Sequence, residues 1–346
     1  MTGLTVLSVG YPLAPVSPDS AGGAAQVLAM LDRALVAAGH RSIVVAPAGS
    51  TVAGVLRPIP VRAGPLDDAA KRAAQADTHA AIATTLANER VDLVHLHGID
   101  FPVYMPPPGP PVLATLHLPA AWYPAAVFAP TRPDTWLHGV STAQHATFPP
   151  SPALLPPIEN GVPVAALRAT HARRLFALCL GRICPEKGMH LAIEAAAQAG
   201  VPLLIAGRVY RYPDHERYFA EQIQPRLGPA CRFLGAVGFA RKRRLLTAAR
   251  CLLVPSLAAE TSSLVAREAA ACGTPVVAFP AGALADTVEP GRTGFLVDDV
   301  PAMAAAILAC ATLDPDICRA VAAARFDEAT TVDSYLALYS RLAARA

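Results

Sequence analysis

Short apolar runs alternate with longer amphipathic stretches along this 346-residue chain, and that alternation restricts its fold more than any one motif does. Apolar runs bounded by turns suit strands buried on both faces, and the stretches between them suit helices covering a parallel sheet. In the first half the pattern predicts strands over Leu4–Val9, Ser42–Ala46, Asp92–His97, Val112–His117 and Trp136–Val140, with helices near Gly23–Ala38 and Asp67–Arg90. In the second half it predicts strands over Leu175–Leu180, Pro202–Ala206, Arg232–Leu234, Cys251–Pro255, Pro275–Ala278 and Gly294–Val297. Helices fall between them, near Met189–Ala199, Asp214–Leu227, Ala240–Ala249 and Ser263–Cys272. Periodicity breaks between about Val162 and Arg174, where Pro, Arg and Thr interrupt it. The length suits two domains of ordinary size, and neither half repeats the other closely enough to be an array. The expectation is an α/β chain of two Rossmann-like parallel-sheet domains.

Two motifs in the second half carry chemistry. Glu260-Thr-Ser-Ser-Leu-Val-Ala-Arg-Glu268 follows the strand Cys251–Pro255 and runs into a helix from about Ser263. At about 3.6 residues per turn its two carboxylates lie about two turns apart on one face. The helix start offers amides to an anion, and both carboxylates can reach sugar hydroxyls beside it. The plain alternative is an acidic residue near a helix start plus a surface Glu. Upstream, Gly181-Arg-Ile-Cys-Pro-Glu-Lys-Gly188 lies at the C-terminal end of a strand, where open α/β sheets bind ligands. Arg182 and Lys187 can neutralise a diphosphate there, Arg by a planar fork and Lys as a point charge; otherwise they are two solvated charges in a loop.

These motifs in this order resemble the C-terminal domain of retaining GT-B glycosyltransferases of the family-4 type. The resemblance extends to Phe233-Leu-Gly235, Pro255-Ser256, Ala271-Cys-Gly-Thr-Pro-Val-Val277 and Gly291-Arg-Thr-Gly-Phe-Leu-Val297. In the first half it takes in Gly22-Gly23, Asp92-Leu-Val-His-Leu-His97, Thr115-Leu-His117 and the boundary Glu159-Asn-Gly-Val-Pro163. It implies two domains facing across a cleft: an acceptor-side domain over residues 1–165, a nucleotide-sugar domain over 166–326, and a C-terminal helix over 327–346 crossing back to the first. It also implies transfer of a hexose-type sugar from a UDP- or GDP-linked donor, with retention and without metal or cofactor. By resemblance Arg182 and Lys187 hold the diphosphate, Glu268 the ribose, Glu260 the donor sugar, and His117 faces that sugar near the reaction centre. Gly22, Gly23, Thr261, Ser262, Ser263 and Leu264 complete the donor site. Many relatives have glycine and an aromatic just after the first Glu, whereas this chain has Thr261-Ser262-Ser263, so donor identity does not carry over.

The first βα loop, Gly10 to Gly23, lacks the dinucleotide fingerprint, and no Walker lysine motif occurs in the chain. Gly22 and Gly23 suit either close approach of amides to a phosphate or a tight turn. His95, His97 and His117 end strands; a three-histidine metal site there lacks an acidic ligand at short spacing. Asp314-Pro-Asp316 reads as a helix cap, far from every phosphate signal. A terminal helix over Thr331–Ala344 carries Tyr335, Leu338, Tyr339 and Leu342 at helical spacing, which suits packing.

A net charge of +3 is too mild to make nucleic acid the partner. Arg241-Lys242-Arg243-Arg244 reads as the solvated face of a short helix, with phosphate or anionic lipid contact the lesser reading. Seven cysteines without a Cys-x-x-Cys pair suit a reducing cytosol, and Cys184 reads as an accessible thiol. The uncharged stretch Phe101–Thr131 is interrupted by nine prolines, which rules out a continuous membrane helix. A soluble, cytoplasmic protein is expected, with peripheral membrane contact left open and a sugar, lipid or small molecule as acceptor. A GT-B isomerase or phosphorylase would need its own acid/base pair or cofactor lysine, and a silent nucleotide-sugar binder would not need all of Arg182, Lys187, Glu260 and Glu268.

Overall fold

The computed structural model describes residues 3–345. They form two compact units, one running to Glu159 and resuming at Thr330, the other Asn160–Ala329. The first holds a parallel sheet of β1 (Thr5–Val9), β2 (Arg41–Pro47), β3 (Val55–Ile59), β4 (Leu93–Leu96), β5 (Val112–Leu116) and β6 (Thr135–Gly139), ordered β3-β2-β1-β4-β5-β6. The second holds β7 (Ala177–Leu180), β8 (Leu203–Ala206), β9 (Cys231–Phe233), β10 (Cys251–Val254), β11 (Val276–Ala278) and β12 (Gly294–Leu296), ordered β12-β11-β10-β7-β8-β9. In each sheet the order reverses beside the first strand, between β1 and β4 and between β7 and β10. A doubly wound sheet opens a ligand crevice at such a reversal, outside the strands' C-terminal ends.

Period-two alternation assigns the faces of the second sheet. Cys179, Ile205, Leu253 and Val277 face one way, with Ala192 and Ile193 of α3 (Met189–Gln198) and Met303 and Ile307 of α6 (Val300–Ala309) in the same core. Leu178, Leu252 and Val276 face the other way, against Ala266 and Ala270 of α5 (Leu264–Ala271) and Val321 and Ala322 of α7 (Pro315–Arg325). Each buried Leu, Ile or Val contributes roughly 1.5–3 kcal/mol, so both faces must be covered for the sheet to hold. In the first unit Leu7, Ile43, Val94, Ala114 and Leu137 form the corresponding core with Ile82 of α2 (Asp68–Asn88). α1 (Gly23–Ala37) buries Leu28 and Leu31.

Three features of the fold depart from the sequence expectation, one being α6, which was not predicted. β3 was not predicted: it is an outer strand carrying Arg57 and Pro58, only partly buried, and an edge accepts a proline that a central strand would not. Cys184 is fully buried, not accessible, and burial pushes its thiol up to about 11. All seven cysteines are buried and unbridged. Among the described residues no single helix is long and apolar enough to cross a membrane. The last helix, α8 (Glu328–Ala343), buries Tyr335, Leu338, Tyr339 and Leu342 at the predicted spacing. Its residues from Thr330 onward belong to the first unit.

Candidate functional site

In the second unit the chemistry gathers at the β7/β10 reversal. β7 ends at Leu180, and the turn carrying Arg182 closes in a single 3-10 turn, Pro185–Lys187, before α3. Gly188 makes this closure possible. Its φ is +59°, and a Cβ there would lie 2.1 Å from the carbonyl oxygen of Pro255 in the loop after β10. The two loops therefore approach backbone to backbone. Lys187 Nζ lies 2.5 Å from Glu260 Oε1, and Ser256 Oγ donates to the same carboxylate oxygen. Burial alone would raise the Glu260 carboxyl, but Lys187, Ser256 and the Arg182 charge together bring it below its ordinary value. Arg182, Lys187 and Glu260 are thus brought together, an ionised carboxylate between cations at the mouth of the sheet.

The loop after Glu260 is unusual. Ser263, immediately before α5, sits in the left-handed region at φ 49° and ψ 65°. Non-glycine residues pay for that conformation, and such strain concentrates at functional sites. Its hydroxyl is buried and has no hydrogen-bond partner among the described residues. Ser262 accepts a 3.0 Å hydrogen bond from Asn160 Nδ2, and buried Arg267 donates to the Asn160 carbonyl. Asn160 and Arg267 thus anchor this loop, a role the sequence did not show: Asn160 was read as a boundary marker, and Arg267 was given no role. Thr261 is half-buried and Leu264 opens α5.

Glu268 lies apart from this group. It is buried on α5, and one carboxylate oxygen is ion-paired with Lys242 of α4 (Phe239–Ala248). The basic run is therefore not simply a solvated face: Lys242 turns inward to Glu268, and Arg243 donates to the Ala166 carbonyl at 2.9 Å. Asp314 does act as a cap, accepting from the Asp316 amide at 2.8 Å. One further group stands beside Arg182. The ligand atoms of Cys184, Glu186 and His215 lie within 4.8 Å of one another, the one such cluster among the described residues. Thiolate, carboxylate and imidazole can hold a soft divalent ion. Arg182 opposes that use, since its charge is felt by both Cys184 and His215.

In the first unit Gly22 caps α1 with an extended backbone at φ −101°, and a Cβ there would meet nothing within 4 Å. Neither turn geometry nor crowding inside the protein requires glycine at that position. His97 and His117 follow the ends of β4 and β5, beside the β1/β4 reversal. The structure joins them into a buried network. His97 Nδ1 lies 3.0 Å from His117 Nε2, and His97 Nε2 lies 3.2 Å from His95 Nδ1. His95 Nδ1 is also 2.7 Å from the Tyr339 hydroxyl, and its Nε2 is 2.7 Å from Thr115 Oγ1. Thr115 Oγ1 in turn lies 2.7 Å from His138 Nε2 and 3.3 Å from the Tyr335 hydroxyl. Tyr335 and Tyr339 therefore do more than fill space. Burial lowers all four histidines, His117 to about 3 and His138 to about 4, with neighbouring histidines adding to the effect on His95, His97 and His117.

Comparisons with known proteins agree on both halves. The family model described as Glycosyltransferase Family 4 matches residues 21–165, and Glycosyl transferases group 1 matches residues 174–312. D-inositol 3-phosphate glycosyltransferase of Mycolicibacterium smegmatis is 38% identical over 172 residues, 47% of this chain and 39% of that protein. The chain thus matches about two fifths of that relative's length. AviGT4, a glycosyltransferase involved in avilamycin A biosynthesis, superposes with a TM-score of 0.71 over 99% of both chains at 26% identity. Anabaena HepE, crystallised with UDP and glucose, superposes with a TM-score of 0.75 over 98% of this chain and 100% of that one at 20% identity. Two six-stranded parallel sheets and two family models along one chain lead to one assignment: the protein belongs to the family-4 glycosyltransferases of the GT-B fold.

Proposed function

We propose that this protein is a metal-independent, retaining glycosyltransferase that moves a hexose-type sugar from a UDP- or GDP-linked donor to a sugar, lipid or small-molecule acceptor. The observation that carries this reading is the Lys187–Glu260 pair, held with Arg182 in the loops that follow the two strands flanking the β7/β10 reversal. The cations are placed to offset charge on a departing nucleoside diphosphate, which grows as the glycosidic bond breaks. Before the donor arrives, Glu260 supplies the counter-charge that keeps Lys187 ordered. With a donor present, the diphosphate takes over Lys187 and the Glu260 carboxylate turns to sugar hydroxyls.

Glu268 holds the ribose with the oxygen that Lys242 leaves to it. Thr261, Ser262, Ser263 and Leu264 border the donor, and the open space at Gly22 suits a ligand approaching the start of α1. His117 contributes to transfer and not to nucleotide affinity. Attack occurs on the face from which the nucleotide leaves, guided by its phosphate, which retains the anomeric configuration. Support for a nucleotide-sugar donor comes from HepE, whose structure holds UDP and glucose.

The test is incubation of the protein with a panel of UDP- and GDP-sugars, with nucleotide release and product anomer read by nuclear magnetic resonance. At least one donor should be turned over with retention and with EDTA present. Lys187→Ala should raise the barrier by about 2–4 kcal/mol, as loss of one charge-stabilising contact does. An inverted product would overturn the mechanism. Complete loss in EDTA, restored by magnesium or manganese, would overturn metal independence and return attention to Cys184, Glu186 and His215.

A further inference from the structure

Three side chains beside Arg182 have no part in the proposed transfer. Cys184 and Glu186 flank Pro185 in the turn between β7 and α3, and His215 lies on the short helix Pro213–Tyr218 between β8 and β9. The Cys184 sulfur, a Glu186 carboxylate oxygen and a His215 ring nitrogen all lie within 4.8 Å of one another. Cys184 is fully buried and His215 is 9% exposed. A thiol–carboxylate contact links Cys184 to Glu186, yet it does not satisfy the group. Glu186 Oε2 and His215 Nδ1 are both buried, and neither has a hydrogen-bond partner among the described residues. Two orphaned polar atoms from separate elements at one cluster call for a ligand, because a buried polar atom is costly unless something meets it.

We propose that Cys184, Glu186 and His215 form a binding site for a zinc-class divalent ion, which ties the turn carrying Arg182 and Lys187 to the helix that follows β8. The donor set selects the ion. Sulfur and imidazole suit zinc, whereas magnesium and calcium take shells of oxygen. Zinc has no geometric preference from its d electrons and accepts three protein ligands with water in the fourth position. On binding, a zinc–sulfur bond replaces the thiol S–H bond and the proton leaves to solvent. The thiolate and the Glu186 carboxylate then balance the two charges of the ion. Arg182, whose charge reaches all three side chains, therefore faces a neutral cluster and not an added dication. It weakens the site without forbidding it. The ion braces the turn and takes no part in transfer, so turnover in EDTA is still expected. The site stands on its own geometry, whatever donor the protein proves to use.

The experiment titrates cobalt(II), a spectroscopic substitute for zinc, into metal-free full-length protein. One cobalt per chain should bind, with a sulfur-to-cobalt charge-transfer band in the near ultraviolet that added zinc abolishes. All seven cysteines are buried, so the band must be assigned by substitution. Cys184→Ser should remove it. Glu186→Gln and His215→Gln should each weaken cobalt binding by at least about tenfold, the scale at which even a ligand's supporting partner is felt. Zinc should also raise the melting temperature of the wild-type protein and leave that of Cys184→Ser unchanged, as a ligand of the folded state alone does. Absence of a charge-transfer band at one equivalent overturns the proposal, as does a band that persists in Cys184→Ser. If Cys184→Ser does not fold, the other two variants decide: unchanged cobalt affinity in both sinks the site.

Discussion

Holding a serine in the left-handed region costs about 1–2 kcal/mol, and a buried hydroxyl without a partner adds its own desolvation cost. Ser263 carries both costs three residues after Glu260 and immediately before α5. Glycine would relieve them, less the freedom that glycine gains in the unfolded chain. Ser263→Gly should therefore stabilise the protein by a net ~1 kcal/mol and raise its melting temperature by a few degrees. A lower melting temperature would show that the hydroxyl has a partner inside the fold. If the Ser263 hydroxyl is a donor contact, the same variant should raise KM for the nucleotide sugar, so stability and affinity should move in opposite senses. That opposition is expected where strain is kept for function.

At the scale of elements, α4 and α5 are tied by the buried Lys242–Glu268 pair, whose side chains are 13% and 5% exposed. Removing one charge leaves the other uncompensated, which is costly even where the pair itself adds little. Glu268→Gln should lower stability in urea unfolding by about 3 kcal/mol, and Lys242→Met combined with Glu268→Leu by less than the sum of the single changes. A single-variant loss below about 1 kcal/mol would show that the pair is solvated. Here the limit of the sequence is plain. Arg182, Lys187 and Glu260 were legible because residues at the ends of strands in a doubly wound sheet converge on the reversal. Lys242 was not, because a run of four cations reads as solvated until its partner on the next helix is known. β3 escaped because Arg57 and Pro58 break the apolar run that marks inner strands. Tyr339 read as packing since nothing local relates it to His95, which lies 244 positions earlier.

At the scale of the whole molecule, the four histidines of the buried network, His95, His97, His117 and His138, all lie in the first unit. His117 and His138 are held near 3 and 4, while the unfolded chain titrates near 6.5. Below that unfolded value the unfolded chain binds protons that the folded unit refuses. Stability is therefore full above about pH 6.5 and declines toward pH 4, at up to about 1.4 kcal/mol per pH unit for each such group. Both tryptophans, Trp122 and Trp136, lie in that same unit. Thermal unfolding followed by tryptophan fluorescence should shift to lower temperature between pH 7 and pH 5, more than unfolding followed by far-ultraviolet circular dichroism. A fluorescence midpoint that stays constant over that range would contradict the neutral, buried state of the network.

The order in which the chain is made bears on that network as well. Residues 330–345 belong with the first sheet, yet all of the second unit is translated before them. Domains generally fold as they emerge, N-terminal first. The sheet β1–β6 leaves the ribosome with His95 and Thr115 in place but without Tyr339 and Tyr335, whose hydroxyls meet them in the finished protein. Those polar groups must stay hydrated or make temporary partners while the middle of the chain is synthesised. The last helix thus closes the first-made half, so the histidine network can dry out only after the second unit has been translated.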